Sequence, residues 1–508
     1  MAKFNPRQLS ILRFLIRFCL VSIVSTMSLY FAKKKLVGRR KNSYPPGPWG
    51  LPILGILPLL NGNNPASKVQ ELAKTYGSVF GGYLGGTYTV FLNEYSTIME
   101  AFGRKNDVMT DRPKILPFNH FIKGHGLASG FLHNNWKGKR RFFMTALNKF
   151  DVGKPNGHAA TTLESEIDHM MNEIAYRGIE HDIAGMLMMF TGNVITRLTL
   201  GIRFEYAESD IQEYLDKIAE MFEIADPANP LVFFDFAKFL PWSNNRRFID
   251  YNNEIMDYFK ILVRKGIESS RKDDKNEMID MYIKKFGNPE TGELPAANEN
   301  EFFHLFADLM AAGTDTTASN TLWLLLCVIK YPDVQRKIQA EIDSVVGYDG
   351  RPTLSDRSQL PYTEAVGWES RRFCLAGPFS VPHAAVTDTE INGYFIPKDT
   401  MVIANAWAVS RDPELFRDAD TFKPERFLDT DGKLAVTEQL KSTIFGFGRR
   451  TCAGRPLALS EMYLLLARIL HRYNLKIKGG PETVSLLPER GLATRPHPYN
   501  IIFEPRQI

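Results

Sequence analysis

The hydrophobic period changes along this chain, and the changes mark out elements. Ser78–Leu92 alternates apolar residues with glycines, which predicts two short strands joined by a turn. From 160 to 285 apolar positions recur at helical spacing between acidic and basic faces, interrupted by a charged loop at Ser270–Glu277. Glu299–Lys330 keeps that period without a proline and predicts one long helix, about 45 Å at the usual rise per residue. A last apolar run from Leu457 to Leu470 predicts another buried helix. Between these runs, Leu116–Gly130 reads as a loop rich in Gly, Phe and His. Trp136 opens a helix, and Pro332 and Pro361 stand at the first turns of two more. Phe222–Trp242, aromatic and proline-rich, reads as a loop with short helices over an entrance to the interior, or equally as ordinary helix–helix packing. Asn392–Thr400 reads as a hairpin, and Gly491–Thr494 as a turn back toward the interior.

The N-terminus follows a different pattern. Phe18–Ala32 is an uncharged, mostly apolar run followed at once by Lys33-Lys34-Lys35 and Arg39-Arg40-Lys41. It reads as a membrane anchor over residues 1–41, with the stronger basic cluster holding the rest of the chain on the cytoplasmic side. The competing reading is a mitochondrial presequence, because the segment contains arginine and no acid. Tyr44-Pro45-Pro46-Gly47-Pro48 cannot continue a helix and reads as a stiff hinge within residues 42–50, ahead of one large domain at 51–508.

Charge sharpens this picture. Residues 1–70 hold eleven Lys or Arg and no Asp or Glu; removing them from the totals of 62 and 57 leaves 51 against 57, a net −6 for the body. The basic balance therefore points to a membrane surface and away from nucleic acid. Four cysteines (Cys19, Cys327, Cys374, Cys452) are too few for a disulfide scaffold and fit a reducing compartment. The ten histidines form no close ligand pair with a cysteine, which argues against a zinc site.

One cysteine carries candidate chemistry. Phe445-Gly446-Phe447-Gly448-Arg449-Arg450-Thr451-Cys452-Ala453-Gly454 sets Cys452 in a glycine turn ahead of an apolar helix. Backbone N–H groups and the helix dipole would favour a thiolate there. Such a thiolate suits haem iron, and Arg450 stands within reach of a propionate. The plain alternative is a buried structural cysteine. The long helix has an unusual centre, Ala311-Ala312-Gly313-Thr314-Asp315-Thr316-Thr317. Small residues there serve either close helix packing or a flat ligand lying on the helix. Trp136 and Arg140, four apart, share a helix face, as do Glu369 and Arg372, three apart.

The spacing Phe-x-x-Gly-x-Arg-x-Cys-x-Gly resembles the haem-binding loop of the cytochrome P-450 family. The Asp315–Thr316 pair resembles that family's oxygen-binding motif. Glu369-Ser370-Arg371-Arg372 and Pro424-Glu425-Arg426-Phe427 resemble its buried Glu-x-x-Arg and the arginine that pairs with it. The likeness runs from the proline segment to Pro505-Arg506. It is nearest to the animal microsomal branch related to drug- and steroid-metabolising members, carried by Trp136–Phe142, Asp315–Val346 and Pro361–Phe373. Gly454-Arg455-Pro456 departs from that branch, which usually has an acid after the glycine. The resemblance implies a mainly α fold: a single triangular helical domain with a small β region and an N-terminal membrane anchor. It implies haem b (iron protoporphyrin IX), with Cys452 as the axial iron ligand. Phe445, Trp136, Arg140, His383 and Arg450 would bind the cofactor, and Asp315 and Thr316 would relay protons. The implied reaction inserts one atom of dioxygen into a small apolar substrate of the steroid, fatty acid or xenobiotic class. Electrons would come from NADPH through a flavoprotein reductase, steered by a basic patch of Lys137, Lys139, Arg141 and Arg449. Membrane lipid would be a further partner, at the endoplasmic reticulum, with the mitochondrial inner membrane as the alternative. A thiolate-haem isomerase or dehydratase, which typically lacks the acid–alcohol pair, and a haem protein without turnover are the other readings. NADPH consumption separates both from the first.

Overall fold

The computed structural model describes residues 43–226, 229–270, 277–288, 290–291 and 293–506. The expected anchor at 1–41 lies outside the described residues, as does most of the charged Ser270–Glu277 loop. Among the described residues no helix is long and apolar enough to cross a membrane.

The predicted central helix runs over Ala296–Lys330 and is buried along most of its length. It packs against Ala184–Leu200, a helix almost wholly buried, and the two share one large core. Gly313 marks their closest approach: a Cβ there would stand 2.9 Å from the Ile195 side chain. Close packing therefore explains the glycine, while a partly exposed stripe of Leu309, Ala312, Thr316 and Asn320 leaves the middle of the helix open on another side. Helices Pro332–Val346, Pro361–Phe373 and Arg455–Arg472 start near the residues predicted for them and pack around it.

The β region is small. Strands β1 (Val79–Leu84) and β2 (Thr87–Leu92) form the expected hairpin. Glu180–Asp182 is β3, His383–Ala384 β4, Thr389–Ile391 β5, Tyr394–Ile396 β6 and Met401–Ala404 β7. Tyr473–Lys476 is β8, Pro488–Glu489 β9, Arg495–Pro496 β10 and Asn500–Pro505 β11. The largest sheet has the order β1-β2-β7-β4, with β2 and β7 parallel. The proline segment lies along its edge, where Pro46 O accepts the Gly81 N–H at 2.8 Å and Tyr44 packs edge-on against Tyr88 and Phe395.

Three expectations need correction. Leu116–Gly130 is not all loop: Pro117 opens a helical turn at Leu116–His120 that continues as a 3-10 turn to Gly124. The hairpin expected at Asn392–Thr400 is centred earlier, because Asn392 (φ 50°) and Gly393 (φ 75°) supply its left-handed turn between β5 and β6. Lys139 is not part of a surface patch. Its side chain is buried and its ammonium donates to Asn134 O at 2.8 Å, since this helical position faces inward.

Candidate active site

Cys452 stands at the mouth of the helix Arg455–Arg472. Its own N–H closes the loop onto Phe445 O at 2.7 Å. Gly448 makes that loop possible: it holds φ +58°, and a Cβ would lie 2.1 Å from Phe102 O. The Cys452 side chain is accessible yet sits deep among protein groups. Burial raises its thiol above the ordinary range, against the N–H groups of Gly454 and Arg455 and the charges of Arg140 and Arg455, which favour the thiolate. Phe445 packs edge-on to Trp368, 6.1 Å between centroids.

Beside the cysteine loop three guanidinium groups converge. Arg140 donates to Thr451 O. Arg450 donates to Thr110 O, Leu127 O and Gly130 O at 2.9, 3.2 and 2.7 Å. Arg112, which belongs to none of the motifs read above, is buried and donates to Ala128 O and Pro382 O. Among the described residues none of the three makes an ion pair with a carboxylate. Burial, followed by the charge of Arg112, pushes Arg450 down to about 8. The indole of Trp136 lies under Arg450, 4.1 Å from its ring centre, and donates to Leu127 O at 2.8 Å. His383 stacks on Phe102 with centroids 4.1 Å apart and meets Met109 O through Nδ1. Its burial holds it well below the usual histidine range, hence neutral. Three guanidinium groups with no direct ion pair, opposed only by the nearby charges of Asp111 and Asp308 and next to an accessible thiol, fit a flat dianionic group with a metal centre.

The loop that bears Leu127 is tied to the central helix through Asp308. Its carboxylate accepts the Leu127 N–H at 2.8 Å and the Ser129 hydroxyl at 2.8 Å. An acid inside the apolar run Phe302–Met310 was the readable signal for this residue. Asp315 and Thr316, one residue apart, lie on different faces of the helix. Thr316 Oγ1 donates to Ala312 O at 2.6 Å, while Asp315 is fully buried and faces Arg495. Behind the cysteine loop, Glu369 and Arg372 are both fully buried and joined by two hydrogen bonds of 2.8 Å. Arg426 adds a third at 3.2 Å.

Comparison with known proteins gives this arrangement its class. Residues 45–503 match the model of the family described as cytochrome P-450. Cytochrome P-450 1A2 of Homo sapiens is 32% identical over 468 residues, 89% of each chain. Cytochrome P-450 2U1 of Rattus norvegicus is 30% identical over 501 residues, 92% of each chain. Cytochrome P-450 1A5 of Gallus gallus is 30% identical over 494 residues, 94% of this chain and 91% of that one. A mainly helical body around a cysteine loop of this kind is a haem-thiolate scaffold. The chain belongs to the cytochrome P-450 family and is a monooxygenase of it.

Proposed function

We propose that this monooxygenase inserts one atom of dioxygen into a small apolar substrate of the steroid, fatty acid or xenobiotic class, drawing electrons from NADPH through a flavoprotein reductase. The observation that carries the reading is an accessible Cys452 thiol flanked by Arg112, Arg140 and Arg450, none of them in a direct ion pair among the described residues. The chemistry that a bound haem b supplies is dioxygen activation at iron, with a thiolate ligand favouring O–O cleavage. Cys452 would be the protein ligand to the iron, and the Gly454 and Arg455 N–H groups favour its thiolate. Arg112, Arg140, Arg450, Trp136 and His383 would hold the propionates, and Phe445 would fix the loop. Thr316 and Asp315 would move protons: the Thr316 hydroxyl lies on the partly exposed stripe of the central helix, and Asp315 is the buried acid beside it in the chain.

We place the protein at the endoplasmic reticulum membrane with its body in the cytoplasm. Support comes from two adjoining apolar edges. Trp49 and Ile53 are 70% and 65% exposed; Phe239 and Trp242, beyond the end of helix Ser209–Ile224, are 77% and 81% exposed. The two stretches that carry them approach each other at Gly85, whose N–H donates to Leu54 O at 3.2 Å and on which a Cβ would stand 2.9 Å from the Phe233 side chain. Such area fits a lipid surface.

The test is Cys452→Ser. The wild type is expected to show the red-shifted carbon monoxide band of a reduced thiolate–haem protein, and the variant to lose it. Retention of the band would remove the central assignment. Fractionation of the same cells tests the placement, and recovery in mitochondria with a trimmed N-terminus would overturn it.

A further inference from the structure

Two cysteines meet inside the core. Cys327, in the last turn of the central helix, and Cys374, which ends the helix Pro361–Phe373, bring their Sγ atoms to 3.4 Å. They stand 47 positions apart in the chain. Cys327 is fully buried, and the Ser370 hydroxyl approaches its sulfur at 3.9 Å. Cys374 keeps 7% exposure and forms part of the wall of a cavity of about 20 Å³, room for one molecule the size of water or hydrogen peroxide. That cavity shares Asn63, Asp226, Pro488 and Arg490 with a larger one of about 1390 Å³, whose wall includes the exposed Asn61, Asp216 and Glu489. The two adjoining cavities lead from solvent to Cys374, and Cys327 lines neither. The chain bends sharply just after Cys374. Its N–H still donates to Ser370 O at 2.9 Å, but Leu375 turns to φ 33°, and Ala376 O accepts the Thr494 N–H at 2.7 Å.

We propose that Cys327 and Cys374 are a peroxide-responsive thiol pair, closing a reversible disulfide that clips the end of the central helix to the bend after Pro361–Phe373. The oxidant is hydrogen peroxide, the two-electron reduction product of dioxygen. Cys374 Sγ attacks one peroxide oxygen; the O–O bond breaks, the thiol proton passes to the departing oxygen, and water leaves a sulfenic acid. Cys327 Sγ then attacks the Cys374 sulfur; the S–O bond breaks, and the departing hydroxide takes the Cys327 proton as a second water. The two thiols lose two electrons and peroxide gains them, and a dithiol reductant reverses the outcome. Closing the contact from 3.4 Å to a covalent bond of about 2.05 Å is a local movement. Burial, then the contact with Cys327, raises the Cys374 thiol well above its usual range. Glu369 raises it further, while Arg411 opposes, its guanidinium donating to Phe373 O at 2.7 Å. Such a thiol reacts slowly, so the pair answers sustained peroxide and otherwise stays reduced. A clip across a loop of this length removes freedom from the unfolded chain and stabilises the fold. The chemistry needs neither substrate nor reductase.

The experiment exposes the full-length, haem-loaded protein to hydrogen peroxide, blocks the remaining thiols with N-ethylmaleimide under denaturing conditions, and maps unreduced peptides by mass spectrometry. The expected result is a linked peptide joining Cys327 to Cys374, lost after dithiothreitol. The oxidised protein should also show a higher thermal midpoint, which dithiothreitol returns to its starting value. Cys327→Ala should instead leave Cys374 as a sulfenic acid, captured as its dimedone adduct on unfolding, with no rise in midpoint. Cys374→Ala should leave Cys327 a free thiol. Both cysteines found alkylated after peroxide, or Cys374 joined to Cys452 or Cys19, would overturn the pair. A sulfenic acid on Cys327 in Cys374→Ala would overturn the order of attack, and a linked pair whose midpoint does not rise would overturn the clip. The wild-type map decides the pairing even if either alanine variant folds poorly.

Discussion

At the scale of single residues, Glu369 does the most to hold the cysteine loop's support. It accepts from Arg372, Arg426 and the Lys423 N–H. Arg372 in turn donates to Ser410 O and Ala419 O, both at 2.8 Å, so one buried pair ties four segments. Glu369→Ala would leave a fully buried guanidinium without its carboxylate, at a cost of about 3–5 kcal/mol. The expected outcome is a lower urea midpoint and little haem-loaded protein; an unchanged midpoint with full haem content would contradict it. This network was legible in the sequence because its spacing is local and its motif complete. Arg112 and Arg495 were not, since Pro382 lies 270 positions from the first and Ser319 lies 176 from the second, and a lone arginine beside a proline announces nothing. Lys139 misled for a related reason. Its helix carries basic residues on two faces, and only the burial of one face shows which lysine points inward.

Among the elements, the helix that begins behind Cys452 sets the charge balance of its surroundings. Its start is polar and dipolar, but its middle is buried on all sides, including Glu461. Burial alone raises the Glu461 carboxyl well above the usual carboxylate range, with no neighbouring charge contributing. The native state then keeps a proton that the unfolded chain gives up, so this group's contribution is intact below the unfolded value and is lost as pH climbs toward the folded one. The slope reaches at most about 1.4 kcal/mol per pH unit. Glu461→Gln should therefore match wild type in mildly acid solution and exceed its thermal midpoint increasingly as pH rises. A constant difference across pH would show that Glu461 is already ionised. The period of this helix was plain from Leu457 to Leu470, yet periodicity could not show that the helix packs against Pro361–Phe373 and His158–Arg177 as well as the central helix, or that Glu461 is buried.

For the whole molecule, the proposed function asks two faces to divide the work of docking. The body carries net −6, and a local group of basic residues stands where the helix Trp136–Lys149 passes the cysteine loop. With Lys139 turned inward, Lys137 and Arg141 remain as exposed neighbours four positions apart. Arg449 stands on the loop itself but is met by Asp107, so part of its charge is already spent. The docking face proposed for an acidic flavoprotein thus reduces to Lys137 and Arg141, with Arg449 at its rim, on the side where Arg140 bonds Thr451, the residue before Cys452. Steering by exposed charges fades beyond about 8–10 Å at physiological salt. Lys137→Glu/Arg141→Glu should lower reductase-driven turnover by about tenfold at low salt. Peroxide-driven turnover should stay at the wild-type level, because neither residue touches the loop's interior. The wild type should lose reductase-driven rate as salt rises while the double variant changes little. Equal rates of the two proteins with reductase at low salt would rule out this face as the docking site, and a parallel loss with peroxide would show that the substitutions had damaged the site itself.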